Sequence, residues 1–521
     1  MAPAVQSSDQ QLDIVMAENK STTLKLFDRL WTSADVLRGS LPLNEFTSYM
    51  LAIFFFKFIS DQWSETYEQN NTLLKNDPGA FLEVMKKERF VLPGGLGYEY
   101  VARVKRNKNL GSIINEVLHN IERSNSSRLA GIFSTVDFND SRILGEGETK
   151  LDFLSHLIGV FEEYDFRSSA IDNKTTSELF TLLLDNFFFQ AAKKGDAWST
   201  PLSLTTLLAT LMKPKVGDTV YDPACGTARL LIRTLQKSDG ETSSRQLYGQ
   251  EINSTVAIIA RMNLLIHGLD DANLEWGDSL NSPKFLDRTD PLSLMKFDIV
   301  VSDPPIAVRN WWRGGPLFNY LDWGITPDTK GDYAFILHML ASASENKGRI
   351  GMIANHGVLF RKGVEADIRR KIIENNWLEA VISLPSNLFA STGIPVVILL
   401  FNKGPRENHD ILFVDASRES GQDKRKNLLT EENIHHIVST VEAFKTIPRK
   451  SRECIQDGYS YIASREEIEA NDYNISVPRY VNTLITAKLV VDKTRAEIDM
   501  LDIKLAHIRG QLKQRSKDLG L

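Results

Sequence analysis

The most informative motif in the sequence is the run Asp-Pro-Ala-Cys-Gly-Thr at residues 222–227, which follows a short β-rich stretch at 219–221. A turn of this kind lets a ligand approach the main chain closely, because Gly226 has no Cβ. The helix predicted after the turn offers free N–H groups and a partial positive charge to an anion. The carboxylate of Asp222 can pair with a cation. The motif therefore predicts a pocket for a ligand that carries both an ammonium and a carboxylate group.

Two further acidic residues lie at the ends of predicted strands later in the chain. Glu251 lies in Gly-Gln-Glu-Ile-Asn, where an acid can accept hydrogen bonds from both hydroxyls of a ribose. Asp278 lies in Gly-Asp-Ser-Leu, where it can bind an adenine amino group. These groups together describe S-adenosylmethionine, whereas a dinucleotide would need a GxGxxG motif, which is absent here. The residues of the three motifs predicted to bind this cofactor are Asp222, Ala224, Gly226, Thr227, Glu251, Ile252, Asp278 and Ser279.

The elements that must position these residues are strands and helices that alternate between residues 219 and 402. Such alternation is typical of an α/β fold with a doubly wound parallel sheet and helices on both faces. Because the crossover connections of such a sheet are right-handed, ligands bind at the carboxyl ends of the strands. The three motifs follow strands, so we expect them to meet at one edge of the sheet.

Segments of a different character precede and follow this α/β domain. Apolar residues recur at three- and four-residue steps from Leu26 onward, which predicts an all-α domain. Near the end of the chain they follow a heptad seam, which predicts a C-terminal helical tail for partner docking or, alternatively, a helix packed on its own domain. The predicted segments are a disordered N-terminus at 1–20, the helical domain at 21–165, the α/β domain at 166–405, a mixed region at 406–480 and the heptad helix at 481–521.

Composition restricts the class of protein. The 61 basic and 67 acidic side chains give a net charge of −6, so any contact with nucleic acid needs a local basic face or a partner that supplies positive charge. The only two cysteines, Cys225 and Cys454, form no CxxC pair, so we expect no zinc ribbon and no metal site. No signal peptide or membrane span is apparent, and the longest apolar run, 49–56, is too short to cross a bilayer. These features predict a cytoplasmic protein.

The order and sequence of the motifs resemble those of the modification subunits of type I restriction–modification systems, a family of N6-adenine DNA methyltransferases. The resemblance covers most of residues 20–480 and implies a class I (Rossmann-like) methyltransferase domain. It also implies a complex of two such subunits with a sequence-reading specificity subunit, and such complexes also join a restriction (nuclease–translocase) subunit. The motifs that carry the resemblance are 222–227, 249–253, 277–280, Asn-His-Gly-Val-Leu-Phe at 355–360, Leu-Pro-Ser-Asn-Leu-Phe at 384–389, and Thr200-Pro201, which lies where the family has a Thr-Pro bordering the cofactor.

In the resembled family, the turn after the fourth strand has the pattern Asn-Pro-Pro followed by Phe or Tyr. A side-chain carbonyl and a rigid main-chain carbonyl of such a turn accept the hydrogens of an exocyclic amine and direct its lone pair at a methyl donor. The target base must leave the duplex, and an aromatic ring normally stacks on it. The corresponding residues here are Asp303, Pro304, Pro305 and Ile306, which are the predicted catalytic residues.

This sequence departs from the family pattern at two places. Ile306 has no π face, although stacking on an aromatic ring contributes roughly 1–3 kcal/mol per base. Trp311 or Trp312 from the following loop could replace the missing ring. At Ala228-Arg229 the family usually has Gly-Gly, so a Cβ and a long side chain could crowd the methionine part of the cofactor.

Four hypotheses follow from these observations. The first is methyl transfer to an adenine amino group, or to the N4 amino group of cytosine, with the DNA site chosen by a partner. The second, motivated by Ile306 and Ala228, is a weakened or inactive relative that binds cofactor or DNA as a scaffold or sensor. The third is a self-contained methyltransferase with its own target-reading region after residue 405. The fourth is methylation of protein glutamine or RNA, which the long helical N-terminus disfavours.

Overall fold

The structure is a computed structural model, and its helical N-terminal region has one continuous apolar core. It describes residues 8–37, 39–75, 77–193, 200–240, 243–306, 308–314, 318, 323–389, 392–407, 409–423, 426–446, 456–482, 500–501, 504–505 and 508–509. The helices of this region are α1 (Ser8–Asp35), α2 (Leu43–Leu73), α3 (Pro78–Met85), α4 (Tyr98–Arg103), α5 (Leu110–Ser124), α6 (Ser126–Leu129), α7 (Ser141–Leu144), α8 (Gly147–Glu162) and α9 (Asn173–Lys193). Every residue of α2 from Tyr49 to Asp61 is buried, because its apolar run faces neighbouring helices on all sides.

Two features of this region differ from the sequence-based prediction. Helix α1 begins at Ser8, inside the stretch 1–20 for which disorder was predicted, since that stretch contains no Gly or Pro after Pro3 to interrupt a helix. Helix α9, which was assigned to the α/β domain, packs Leu183 and Phe187 into the core of the helical region. The helical core therefore continues beyond the predicted boundary at residue 165.

In the described part of the chain, nine strands form one sheet in the order β11-β8-β6-β7-β5-β4-β1-β2-β3. The strands of this sheet are β1 (Val220–Asp222), β2 (Leu247–Glu251), β3 (Asn273–Trp276), β4 (Ile299–Ser302), β5 (Arg349–Asn355), β6 (Leu378–Ser383), β7 (Val396–Asn402), β8 (Ile411–Asp415) and β11 (Ser460–Ala463), whereas β9 (Gly421–Asp423) and β10 (Lys426–Leu428) pair separately. The helices around it are α10 (Leu202–Met212), α11 (Arg229–Gln236), α12 (Ser254–Ile266), α13 (Asp332–Ser342), α14 (Val364–Glu374), α15 (Glu431–Thr446) and α16 (Arg465–Ala470).

The sheet is mixed rather than fully parallel as predicted. Strands β1 to β5 run parallel, but β7 is antiparallel to both β5 and β6. A parallel return from β6 to β7 would need a crossover, usually a helix, and the described part of their connection contains none. The doubly wound arrangement itself is as predicted, with β1 at the point where the strand order reverses.

The predicted mixed region at 406–480 belongs to the same sheet. It contributes β8, which runs parallel to β6, and β11, which runs antiparallel to β8. Most of the heptad segment 481–521 lies outside the described residues. In the described ranges, no helix combines the length and the apolar composition that a bilayer span requires.

The helical region is attached to the sheet through α12. Ile259, Met262 and Leu265 of that helix belong to the helical core, and Arg89 forms an ion pair with Asp270 just after it. Helix α12 begins at Ser254, three residues after Glu251, so its position affects one wall of the candidate site.

Candidate active site

A cavity of about 450 Å³ lies at the carboxyl ends of β1, β2 and β4. Because β1 lies between β4 and β2, this is the point of strand reversal where α/β sheets bind ligands. The predicted residues that line the cavity are Thr200, Asp222, Ala224, Gly226, Thr227, Glu251, Ile252, Asp278, Ser279, Asp303 and Pro305. The predicted cofactor loops and the predicted catalytic turn therefore share one space at one edge of the sheet.

The turn at 222–227 is held by its own side chains and by its neighbours. The Asp222 carboxylate accepts a hydrogen bond from the Ala224 N–H at 2.9 Å. Gly226 has a φ of +53°, and a Cβ added to it would meet no protein atom within 4 Å. Ala228 has a φ of +62°, a left-handed conformation that costs an L-residue roughly 1–2 kcal/mol. Its side chain is buried in the apolar core and does not line the cavity, so the predicted crowding by its Cβ is wrong.

Asp222 is the most deeply buried acid of the cavity, with 1% of its surface exposed. Burial raises the pKa of its carboxyl group to about 7, and the negative charges of Asp303 and Glu251 add to this rise. The Ser302 hydroxyl donates a hydrogen bond to it at 2.8 Å, which favours the ionised form and joins the end of β4 to the end of β1. A cation bound beside Asp222 would offset the repulsion among these acids.

Glu251 and Asp278 are both held by main-chain N–H groups. Glu251 accepts hydrogen bonds from Gly226 at 3.0 Å and Asn253 at 2.8 Å. Burial raises the pKa of Glu251, and the N–H groups oppose that rise. Asp278 accepts hydrogen bonds from the N–H groups of Leu280 at 3.0 Å and Asn281 at 3.1 Å. Both carboxylates are thus fixed in place at the cavity wall.

The catalytic turn is tied to the rest of the site through Thr200. The Thr200 hydroxyl donates a hydrogen bond to Asp303 Oδ2 at 2.5 Å, and its carbonyl accepts one from Arg229 at 2.9 Å. The Arg229 guanidinium also forms an ion pair with Asp185 of α9. Burial lowers the pKa of Arg229 to about 10. Arg229 lines the cavity, but these contacts hold its guanidinium against the Thr200 loop and α9, which sequence reasoning did not anticipate.

The remaining predicted site residues, Pro201, Pro304 and Ile306, do not line the cavity. Pro201 is the residue before α10, and Pro304 is buried beside Asp303. Ile306 is half-buried and packs against the apolar cluster beneath β4. Trp311 is only 3% exposed, and its indole N–H donates to the Pro327 carbonyl at 3.1 Å. Trp311 therefore packs in the apolar core, and it also lines the cavity.

Sequence reasoning missed three contributors to the site. Ser302 bridges two strand ends, Asn281 bonds to Asp278, and Phe335 of α13 lines the cavity. Ser302 and Asn281 adjoin recognised motifs, so adjacency was an available signal, but no pattern in the sequence linked Phe335 to them.

The chemistry of the cavity matches S-adenosylmethionine. The three carboxylates of the cofactor motifs line the cavity, which suits a ligand that carries an ammonium and a sulfonium group. The open space over Gly226 leaves room for such a ligand beside the turn. We expect Asp222 to hold the ammonium, Glu251 the ribose and Asp278 the adenine. Among the described residues, no group of three or more His, Cys, Asp or Glu side chains is placed to hold a metal ion.

Affinity for S-adenosylmethionine is expected to depend on pH through Asp222. With a pKa of about 7, Asp222 is neutral below that pH and pairs poorly with an ammonium, so the affinity should fall by about tenfold per pH unit as the pH drops below 7. Above roughly pH 8 the ligand's own amino group loses its proton and the affinity should fall again. Isothermal calorimetry across this range measures the profile. If the acidic limb persists in Asp222→Asn, the assignment is wrong.

Gly226→Leu is expected to weaken cofactor binding by about tenfold or more, because the side chain would occupy cavity space and overpacking costs about 1–3 kcal/mol. The main-chain hydrogen bond to Glu251 remains possible in this variant. Gly217→Leu is a matched control, since Gly217 also has a positive φ (+92°) and open space at its Cβ but lies in the turn before β1. Equal affinity for the cofactor in the two variants would contradict this placement of the ligand.

The chain is similar to known methyltransferases over nearly its whole length. The family described as N-6 DNA Methylase matches residues 172–488, and the HsdM N-terminal domain matches residues 26–161. The type I restriction enzyme MpnII methylase subunit of Mycoplasma pneumoniae is 30% identical, over 94% of this chain and 93% of the relative. The MjaVII methylase subunit of Methanocaldococcus jannaschii is 29% identical, over 90% of this chain and 79% of the relative.

Solved structures share the fold. The type I restriction–modification methyltransferase subunit from Streptococcus thermophilus superposes with a TM-score of 0.74 at 24% identity, covering 88% of this chain and all (100%) of that one. A modification subunit of a putative type I restriction enzyme from Vibrio vulnificus superposes with a TM-score of 0.57 at 18% identity, covering 88% of this chain and 97% of that chain. The sequence-based prediction of the fold class is confirmed.

Proposed function

Because the chain belongs to the N-6 DNA methylase family, we propose that it is the modification subunit of a type I restriction–modification complex. In this role it transfers a methyl group from S-adenosylmethionine to the N6 amino group of adenine in DNA. The single observation that carries the proposal is the shared cavity, in which the three carboxylates of the cofactor motifs face the same space as the Asp303-Pro304-Pro305 turn.

The turn can activate a weak nucleophile. The lone pair of the exocyclic amine is conjugated with the adenine ring, and S-adenosylmethionine supplies an electrophilic methyl group. The Asp303 carboxylate accepts one N–H of the amine and a main-chain carbonyl of the turn accepts the other, which aims the lone pair at the methyl. As the new N–C bond forms and the C–S bond breaks, the amine becomes more acidic, and Asp303 can take up the proton it releases. Thr200 keeps the carboxylate in one orientation through its hydrogen bond.

The choice of DNA site falls to a specificity subunit in this proposal. The net charge of −6 disfavours autonomous DNA binding by the chain. Near its end, the described residues Leu501, Leu505 and Ile508 follow heptad spacing and are between 48% and 63% exposed, which suits docking on a partner helix. We further propose that the complex contains a second copy of the chain and a restriction subunit, and that it acts in the cytoplasm.

Labelling with tritiated S-adenosylmethionine tests the proposal. The chain is incubated with unmethylated DNA, with and without the specificity protein, and the DNA is digested to nucleosides. Label on N6-methyladenine only with the partner is the expected result. Label on cytosine would overturn the choice of base, and label without the partner would indicate a self-contained methyltransferase.

The alternative is a subunit that binds cofactor and DNA without turnover. It is favoured by one observation, the absence of an aromatic side chain at Ile306 in the catalytic turn. Cofactor binding without label on DNA, with or without the partner, would support this alternative and contradict the proposal.

A further inference from the structure

A loop beside the cavity carries two cationic side chains. Residues 308–314 (the 308–314 loop) follow the catalytic turn. Arg309 and Arg313 of this loop are exposed and line the cavity. Among the described residues, no carboxylate forms an ion pair with either guanidinium. A nucleotide that enters the cavity brings its flanking phosphates to this rim, where cations favour them.

The main chain of the 308–314 loop is anchored on residues 327–331. The Trp311 ring is buried, Asn310 N–H donates to the Asp328 carbonyl at 2.8 Å, and Gly331 N–H donates to the Val308 carbonyl at 2.8 Å. These contacts hold the loop main chain, whereas the side chains of Arg309 and Arg313 are exposed at the cavity. The segment that presents the charges is therefore fixed at its base.

Asn281 anchors the same loop from the cofactor side. Its amide nitrogen donates to Asp278 Oδ2 at 2.9 Å and to the Trp311 carbonyl at 2.5 Å, and its oxygen accepts from the Arg313 N–H at 2.9 Å. The Asn281 side chain thus links Asp278, the carboxylate expected to bind adenine, to the main chain of the two residues that flank Trp312. A ligand that shifts Asp278 therefore also shifts Asn281, and with it the main chain of the loop on both sides of Trp312.

We propose that Asn281 couples cofactor binding at Asp278 to DNA-backbone binding by Arg309 and Arg313, as a positioning residue. This inference rests on the proposed function and adds a regulatory link to the same site. Because coupling between two ligands is reciprocal, cofactor binding strengthens DNA binding and DNA binding strengthens cofactor binding by the same factor.

Anisotropy of a fluorescein-labelled duplex of fixed, arbitrary sequence measures the coupling, with S-adenosylhomocysteine as the cofactor probe. In the complex of the full-length chain with the specificity subunit, saturating S-adenosylhomocysteine should lower the Kd for the duplex by about fivefold or more, and an unchanged Kd would overturn the inference. Asn281→Ala should reduce this ratio to near one. Asn273→Ala is the matched control, because Asn273 also donates to main-chain carbonyls, of Arg245 and Leu247, but at the opposite end of β3. The control should retain the full ratio.

A second measurement tests the cationic side chains without altering Asn281. Arg313→Ala should reduce the slope of log K against log salt for the duplex by about one, whereas Arg288→Ala, an exposed arginine on the loop that leads into β4, should not. An unchanged ratio in Asn281→Ala, or an unchanged slope in Arg313→Ala, would overturn the inference and leave the proposed function intact. If the wild-type chain does not bind S-adenosylhomocysteine, both the inference on Asn281 and the proposed function are overturned.

Discussion

Asp303→Ala is expected to lower the rate of methyl transfer by about 10²–10³-fold or more, the effect of removing one preorganised charge-stabilising group from an active site. The substitution removes the acceptor that holds the amine and the group that receives its proton. Asp303 also raises the pKa of Asp222 through repulsion, so its removal should leave more Asp222 ionised at neutral pH. Affinity for the cofactor should therefore stay the same or become slightly tighter.

Single-turnover methylation and calorimetry separate the two effects. Asp303→Asn serves as the control variant, since the amide oxygen can still accept both the amine hydrogen and the Thr200 hydroxyl. We expect it to retain transfer within about tenfold of the wild type, a smaller loss than removal of the group causes. A loss of cofactor affinity in Asp303→Ala would mean that this carboxylate belongs to the cofactor site, and the assigned reaction geometry would be wrong.

Ile306→Phe is expected to increase the affinity for target DNA by roughly ten- to a hundredfold, because stacking of a base on an aromatic ring contributes roughly 1–3 kcal/mol. The wild-type side chain is half-buried at the exit of the catalytic turn and offers only an apolar surface. Trp311 lines the cavity, but its side chain is largely buried and its indole N–H is bonded to the Pro327 carbonyl, so little of its ring is free for a base.

Steady-state kinetics with the specificity subunit measures this gain as a lower KM for DNA. Ile306→Leu is the matched control, because it preserves apolar volume without adding a π face, and its KM should remain that of the wild type. A gain of equal size in Ile306→Leu would attribute the effect to packing rather than to stacking. If the phenylalanine variant shows no gain, another residue supports the base and the stacking argument fails.

The sequence alone was enough to predict that the candidate site residues lie at one edge of the sheet. Asp222 and Glu251 end strands and Asp278 and Asp303 closely follow strands, and the carboxyl ends of parallel strands in a doubly wound sheet meet at one edge. The resemblance in these motifs predicted the family, which the comparisons confirm. The individual roles assigned to these residues remain predictions.

Tertiary structure alone decided which side chains bond to one another across that edge. Sequence reasoning expected Ala228 and Arg229 to crowd the cofactor. The Ala228 side chain instead lies in the apolar core, and the guanidinium of Arg229, which lines the cavity, pairs with Asp185 of α9. The antiparallel placement of β7 likewise depends on long-range pairing with β5 and β6. Such contacts join residues far apart in the chain, and local patterns of polarity carry no information about them. Periodicity and motif spacing specify elements and their ends, whereas the packing of those elements selects the hydrogen-bond partners.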